Sequence, residues 1–360
     1  MTVTELSLAQ FRSWSRLELE LDRRPLAIFG PNGSGKTNIL EALSMLAPGR
    51  GLRGVVARDQ ARHGGPDAGW RIRARVQDHD IETLAPPEGS RTVVLDDKQV
   101  PQTALGRLLR VIWLVPAMDR LWTDPPETRR RFLDRLTLSL CPDHAELALG
   151  YEKPMRERNR LLKDQVSDPA WYRALEAQMA QAGAALTRNR KDALARIMAA
   201  QDESATGFPA AVLALLPGEG HADDIDEESI ASRLSAMRPR DLAAGRSLTG
   251  PHRADLGAHW GPANTSAALS STGEQKALLL SLVLANSRAL SDQPVVLLLD
   301  EVAAHLDADR RAALYDQLAE LPAQTILTGT GPELFDEFKD RARRMAVSKE
   351  GGISAIREVQ

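Results

Sequence analysis

Residues 30–37 read "GPNGSGKT", and no other stretch limits the fold of this chain as strongly. The pattern of two glycines followed by Lys and Thr makes a loop whose backbone N–H groups curl around phosphates, and such a loop works only between a buried strand and a helix N-terminus. Both flanks comply. "PLAIFG" reads as a short buried strand, and "NILEALSML" consists of helix formers with apolar residues at helical spacing. An α/β fold with a phosphate site at the C-terminal edge of its sheet is therefore expected. Gly30, Gly33 and Gly35 would let the loop turn tightly, with Pro31, Asn32 and Ser34 between them and Asn38 just beyond. Lys36 would bridge β- and γ-phosphates, and the Thr37 hydroxyl would ligate Mg²⁺.

The partner of such a loop is a buried strand ending in a carboxylate, and "VVLLLDE" supplies it. Asp300 would hold Mg²⁺ through water, while the adjacent Glu301 suits a general base for hydrolysis. A third motif, "STGEQK" at 271–276, opens a second helix with a hydroxyl and free N–H groups. It has no Lys to complete an anion site alone. Two readings stand: a helix N-cap, or half of a composite site that meets a γ-phosphate held by another copy of the chain.

Strand and helix periodicities divide the chain. Leu17, Leu19 and Leu21 alternate with Glu18 and Glu20, and Trp70, Ile72, Ala74 and Val76 alternate with Arg71, Arg73 and Arg75, both signs of half-exposed strands. "TVVLDDKQV" predicts a hairpin around Asp96 and Asp97. From Arg129 to about Gln201 the pattern is helical, with Trp171, Leu175, Met179, Ala182 and Leu186 on one stripe. "PGEGHADDIDEES" reads as an acidic solvated loop before a helix around Ile230–Met237, and strands return with "PVVLLLD" and "QTILTGT". The expected organisation is a discontinuous head, 1–115 and 245–360, around an inserted helical lobe, 116–244.

Composition adds limits. With 360 residues, of which 43% are hydrophobic, two cores can be filled. No apolar run has membrane-spanning length, "MTVTELSLAQ" lacks the layout of a signal peptide, and the single Cys141, read as a small buried hydrophobe, excludes an internal disulfide framework, so a cytoplasmic protein is expected. A net charge of −3 creates no global attraction for nucleic acid, so a polyanion would have to meet a local patch. Arginine outnumbers lysine several-fold, a bias that suits phosphate contacts and that genomic base composition produces equally well. Candidate DNA-backbone contacts are Arg50, Arg53, Arg58 and Arg62 after the first helix, and the comb Arg71, Arg73 and Arg75. Solvated faces paired to nearby acids are the alternative.

The order of phosphate loop, Ser/Gly turn, Asp-Glu strand and "AAHLD" resembles the ABC-type ATPases, whose heads sandwich two ATPs between two subunits. The span from Lys36 to Asp300 is too long for a transporter head and too short for the long coiled-coil chromosome proteins. Within that superfamily the chain resembles the RecF family over nearly its whole length, through "LAQFRSW", "GRGLRGV", "PPETRRRFLDRL", "RERNRLLK", "DLAAGRSLTGPHRADL" and "LLLDEVAAHLDADRRAAL". The resemblance implies an ABC-type P-loop ATPase head with a mixed sheet plus an inserted, mainly helical lobe. It implies Ser271 and Gly273 as signature residues, Asp307 in the loop that crosses a dimer interface, and Thr328 of "LTGTG" where the switch histidine of other ABC proteins stands. It further implies ATP and Mg²⁺, an ATP-dependent homodimer on single- and double-stranded DNA and their junctions, and the partners RecO and RecR in loading RecA. A small-molecule kinase and a non-hydrolysing scaffold locked by ATP are the competing classes.

Overall fold

A computed structural model describes residues 2–202, 208–218, 226–261 and 263–359; positions 219–225 of the acidic loop lie outside them. The chain forms two compact units, one made of Met1–Asp119 and Val283–Gln360, the other of Arg120–Ser204 and Pro209–Leu282.

The first unit begins with β1 (Val3–Phe11), β2 (Trp14–Glu20), β3 (Leu26–Phe29) and α1 (Lys36–Ser44). It continues through β4 (Trp70–Val76), β5 (His79–Ala85), β6 (Thr92–Leu95), β7 (Lys98–Val100), the single turn α2 (Leu105–Leu108) and β8 (Arg110–Leu114). One antiparallel sheet has the order β2-β1-β4-β5-β6-β7. Its alternation is the one read from the sequence: Leu17 and Leu19 point inward and Glu18 and Glu20 outward. Asp96 and Asp97 take φ of 47° and 64° in the β6–β7 turn, the left-handed pair that a two-residue hairpin needs.

The second unit holds α3 (Pro126–Leu140), α4 (His144–Lys163), α5 (Pro169–Asp202), β9 (Ala211–Leu216), α6 (Glu227–Ala244), β10 (Asp255–Trp260) and β11 (Thr265–Ser266). On α5 the stripe from Leu175 to Leu186 is buried, while Trp171 at its start is 63% exposed. The unit runs to Leu282, past the 244 expected from the sequence, because β10 pairs antiparallel with β9 across all six of its residues. Arg129 fixes Asp255 with two bonds of 2.9 and 2.7 Å, and Arg190 reaches Pro251 O (2.7 Å) and Asp134 (2.8 and 3.0 Å). The "RRRFLD" and "GPHRADL" segments thus brace each other inside one unit. Arg158 is fully buried and is met by Glu176, Asp241, Ser247 Oγ and Leu234 O, which satisfies its donors. Cys141, expected to be buried, is only half-buried at the end of α3, and the burial it has raises its thiol pKa.

The boundary between the units falls within α7 (Thr272–Arg288), after which come β12 (Val295–Leu299), α8 (Ala308–Glu320), β13 (Gln324–Gly329), β14 (Arg343–Glu350) and β15 (Ile353–Val359). They complete the second sheet of the first unit, in the order β15-β14-β3-β13-β12-β8, parallel except for β15. Every residue of β3, β12 and β13 is buried, as strands covered on both faces require. The two sheets and α1 share one core, in which Ile39 and Leu40 are completely buried, each contributing about 1.5–3 kcal/mol. Buried Gln324 ties the sheets together: its amide accepts from Val3 N (2.8 Å) and donates to Val3 O (2.7 Å) and Asp22 O (3.1 Å).

Candidate nucleotide site and nucleic-acid interface

The phosphate loop leaves β3 and enters α1 in the order the sequence predicts. Gly30 and Gly35 have φ of +151° and +110°, and neither has room for a side chain: a Cβ at Gly30 would lie 2.1 Å from Val347 O, and one at Gly35 2.4 Å from Ser354 Oγ. The loop is clamped from behind. Ser354 on β15 bonds to Ser13 Oγ (2.7 Å) and to Ser34 O, Asn38 Nδ2 donates to Ser13 Oγ (2.7 Å), and the Trp14 indole N–H donates to Gly35 O (3.2 Å). Sequence reasoning did not single out Ser13, Trp14 or Ser354 as site residues. "FRSW" held a signal for the first two; nothing in "GGIS" marks the third.

Lys36 is 3% exposed, and its ammonium donates to Gly30 O (2.8 Å) and Pro31 O (3.0 Å). Burial pulls its pKa below the ordinary lysine value, against the opposing charges of Glu301 and Asp300. Thr37 donates to the Asp300 carboxylate, 2.9 Å from Oδ1 and 3.1 Å from Oδ2. Because β13 lies between β3 and β12, its Thr328 also reaches this carboxylate: Thr328 Oγ1 donates to Asp300 Oδ1 (2.6 Å) and accepts the Glu301 N–H (3.0 Å). The expected nucleotide contact at Thr328 is not what its geometry offers. The residue is 1% exposed and its hydroxyl is engaged by protein on both sides, whereas Thr330, beyond the end of the strand, is exposed.

The adjacent oxygens of Thr37 and Asp300 are hard donors suited to Mg²⁺, which takes few protein ligands and completes its shell with water and phosphate. Among the described residues no cluster of three or more His, Cys, Asp or Glu forms a self-contained metal cage.

Ser271, Gly273 and Glu274 are exposed, and a Cβ at Gly273 would touch nothing within 4 Å. Ser271 and Glu274 form a reciprocal capping box: Glu274 Oε2 accepts from Ser271 N and Oγ (2.8 Å each), and Glu274 N donates to Ser271 Oγ at 3.4 Å. These bonds hold the Glu274 carboxyl below the usual range. The turn is therefore a helix cap in this structure, with its hydroxyl at the surface. Asp307 is a one-way N-cap of α8, accepting from Arg310 N at 2.8 Å.

The arginines separate into two groups. In the comb, Arg71 and Arg73 both meet Glu82 and Arg75 meets Asp80 (2.7 Å), with Glu5 opposite Arg75 on the other neighbouring strand. Arg53 lies beside Glu41 (3.5 Å) and Asn38 Oδ1 (3.3 Å), next to the phosphate loop. Arg58 is exposed, with a 3.5 Å contact to Asp59 as its one ion pair among the described residues, and the Arg62 backbone N–H bonds to Gln10 O (2.9 Å). Arg50 is exposed and makes no ion pair among the described residues.

The family described as RecF/RecN/SMC N terminal domain matches residues 2–354. The chain is 44% identical over 364 residues to the DNA replication and repair protein RecF of Mesorhizobium japonicum, covering 96% of both chains. It is 45% identical over 372 residues to that of Caulobacter vibrioides, again covering 96% of both. The same fold is found in the recombination mediator RecF–ATP structure of the RecFOR pathway, with a TM-score of 0.85 at 21% identity over 100% of this chain and 98% of that one. The Smc head of Pyrococcus furiosus bound to a ScpA domain shares it less closely, with a TM-score of 0.59 at 18% identity over 100% and 96%. A match that spans both units, together with full-length relatives above 40% identity, leaves one assignment: the chain belongs to the RecF family of DNA replication and repair proteins, within the ABC/SMC-type ATPase fold.

Proposed function

We propose that this chain is an ATP-dependent DNA-binding protein of recombinational gap repair. ATP binding closes two copies head to head on DNA, slow hydrolysis reopens them, and the closed form helps RecO and RecR load RecA at gaps and single-strand/double-strand junctions. The observation that carries the ATPase reading is the contact of the Thr37 hydroxyl with both oxygens of the Asp300 carboxylate, which holds the phosphate loop against the Asp-Glu strand. Curated relatives above 40% identity named as DNA replication and repair proteins support the repair context.

In this reading the N–H groups of residues 33–37 and the Lys36 ammonium hold the phosphates at the positive end of α1. Thr37 directly and Asp300 through water would hold Mg²⁺, which would neutralise charge on the phosphates. Glu301 takes a proton from water as its oxygen attacks the γ-phosphorus and the bond to the ADP oxygen breaks. Ser271 and Gly273 of one copy face the γ-phosphate held by Lys36 of the other, with Asp307 at the same interface, and Thr330 is the better-placed exposed residue at the end of β13. For the Ser271 hydroxyl to turn to phosphate, its bond to Glu274 must open. DNA phosphates are met by exposed Arg50 and Arg58, since Glu82 already lies beside Arg71 and Arg73 of the comb and Asp80 beside Arg75.

The test is Glu301→Gln in the full chain. ATP-dependent dimers should accumulate while phosphate release falls by about 10²- to 10⁴-fold, the usual loss on removing a general base. Unchanged phosphate release would reject Glu301 as the base, and dimers that form equally well without ATP would reject the clamp.

A further inference from the structure

We infer that Thr328 is a positioning residue that sets the direction of the Glu301 carboxylate by fixing the Asp300–Glu301 peptide, without itself touching nucleotide. The inference rests on the ATPase reading of the same site. One buried hydroxyl does two things at once: it donates to Asp300 Oδ1 at 2.6 Å and accepts the Glu301 N–H at 3.0 Å. The peptide it holds is an unusual one. Glu301 has φ 53° and ψ 22°, the left-handed region that a residue with a side chain enters at a cost and keeps only where its surroundings enforce it.

The consequence follows from geometry. A peptide plane held at its N–H, with Glu301 at φ 53°, sets where the Cα–Cβ bond of Glu301 leaves the strand, and so limits where the carboxylate can hold water. Asp300 Oδ1 is shared by Thr328 and Thr37, so the loop residue that would sit at the metal and the residue that would activate water are linked through one carboxylate and one hydroxyl. Thr328 is 1% exposed and stands on the strand between the two, so its hydroxyl is spent before any ligand arrives. Were the hydroxyl lost, Glu301 would keep its carboxylate but lose the anchor on its backbone N–H, and the loop's hold on phosphate would remain. A base displaced by about 1 Å can cost about a hundredfold in rate.

The experiment compares Thr328→Val, which keeps shape and removes the hydroxyl, with Thr328→Ser, which keeps the hydroxyl. Each is read by Mg²⁺-ATP affinity and by single-turnover hydrolysis, alongside Glu301→Gln. The expected result is a drop in hydrolysis of about ten- to a hundredfold for Thr328→Val with ATP affinity within about threefold of the parent, and near-parental hydrolysis for Thr328→Ser. If Glu301→Gln abolishes hydrolysis and Thr328→Val does not slow it, the inference fails and the ATPase reading stands. Equal damage in the Val and Ser variants, or loss of ATP affinity in step with hydrolysis, would also overturn it. Hydrolysis unaffected by Glu301→Gln would overturn the reading beneath it.

Discussion

Lys36 gives the most detailed prediction because its environment pulls in two directions. Burial lowers its pKa, and the charges of Glu301 and Asp300 oppose that shift. The phosphates need the protonated amine, so ATP affinity should begin to fall at a pH below the range of an ordinary lysine. Above that midpoint one linked proton makes Kd rise about tenfold per pH unit. The rise ends when the charged hydrogen bond is lost, a contribution of about 1.5–3 kcal/mol, or about ten- to a hundredfold in Kd. Glu301→Gln removes one of the two charges that support the ammonium, so its midpoint should lie at lower pH than the parent's. Stability of the nucleotide-free protein should change with the opposite sign. A lysine with a lowered folded pKa releases its proton before the unfolded chain does, so folding gains stability as pH rises between the two values. ATP titrations across alkaline pH by calorimetry, paired with urea unfolding, measure both. Coincident titration of parent and variant, or affinity that stays constant into the ordinary lysine range, would refute the electrostatic coupling.

Two further perturbations test other parts of the account. Arg50→Ala and Arg58→Ala should each flatten the slope of log K against log salt for DNA binding by about one unit, whereas replacing Arg71, Arg73 and Arg75 together should change it by less than the three units expected of free cations, because Glu82 and Asp80 already meet them; a three-unit change would restore the comb as a phosphate contact. Arg158→Met should destabilise the protein by about 3–5 kcal/mol in urea unfolding by leaving buried Asp241 without its cation, while Glu176 keeps its pairing with Arg238, and adding Asp241→Asn should recover part of that loss; additive losses would argue against a coupled network.

The elements whose chemistry is local were legible in the sequence. "GPNGSGKT" and "VVLLLDE" fixed their own strand, loop and helix, and the alternations around Leu17 and Ile72 named the inward residues correctly. What depended on partners distant in the chain was not legible. The carboxylates that match the Arg comb come from neighbouring strands, and strand register cannot be read from the alternation of one strand. The second unit extends to Leu282 because β10 pairs with β9, a contact that "GPHRADL" does not announce. Thr328 is put at the nucleotide by the resemblance, where the switch histidine of other ABC proteins stands. Its burial and its bonds to Asp300 and Glu301 N depend on β13 lying between β3 and β12. The two readings of "STGEQK" are compatible, since a capping box shapes the same exposed turn that a phosphate would meet.

The central claim, that each ATP is shared between two copies, is tested most directly by mixing Lys36→Met with Ser271→Arg. Two-fold symmetry makes every site in either homodimer defective, while a mixed dimer gathers both lesions in one site and leaves the other intact. With native mass spectrometry confirming mixed dimers, random mixing of two inactive proteins should restore ATPase activity to about a quarter of the parent's if the two sites act independently. Ser271→Arg that alone binds ATP, dimerises and hydrolyses like the parent would contradict the account, as would mixed dimers that hold ATP in neither site.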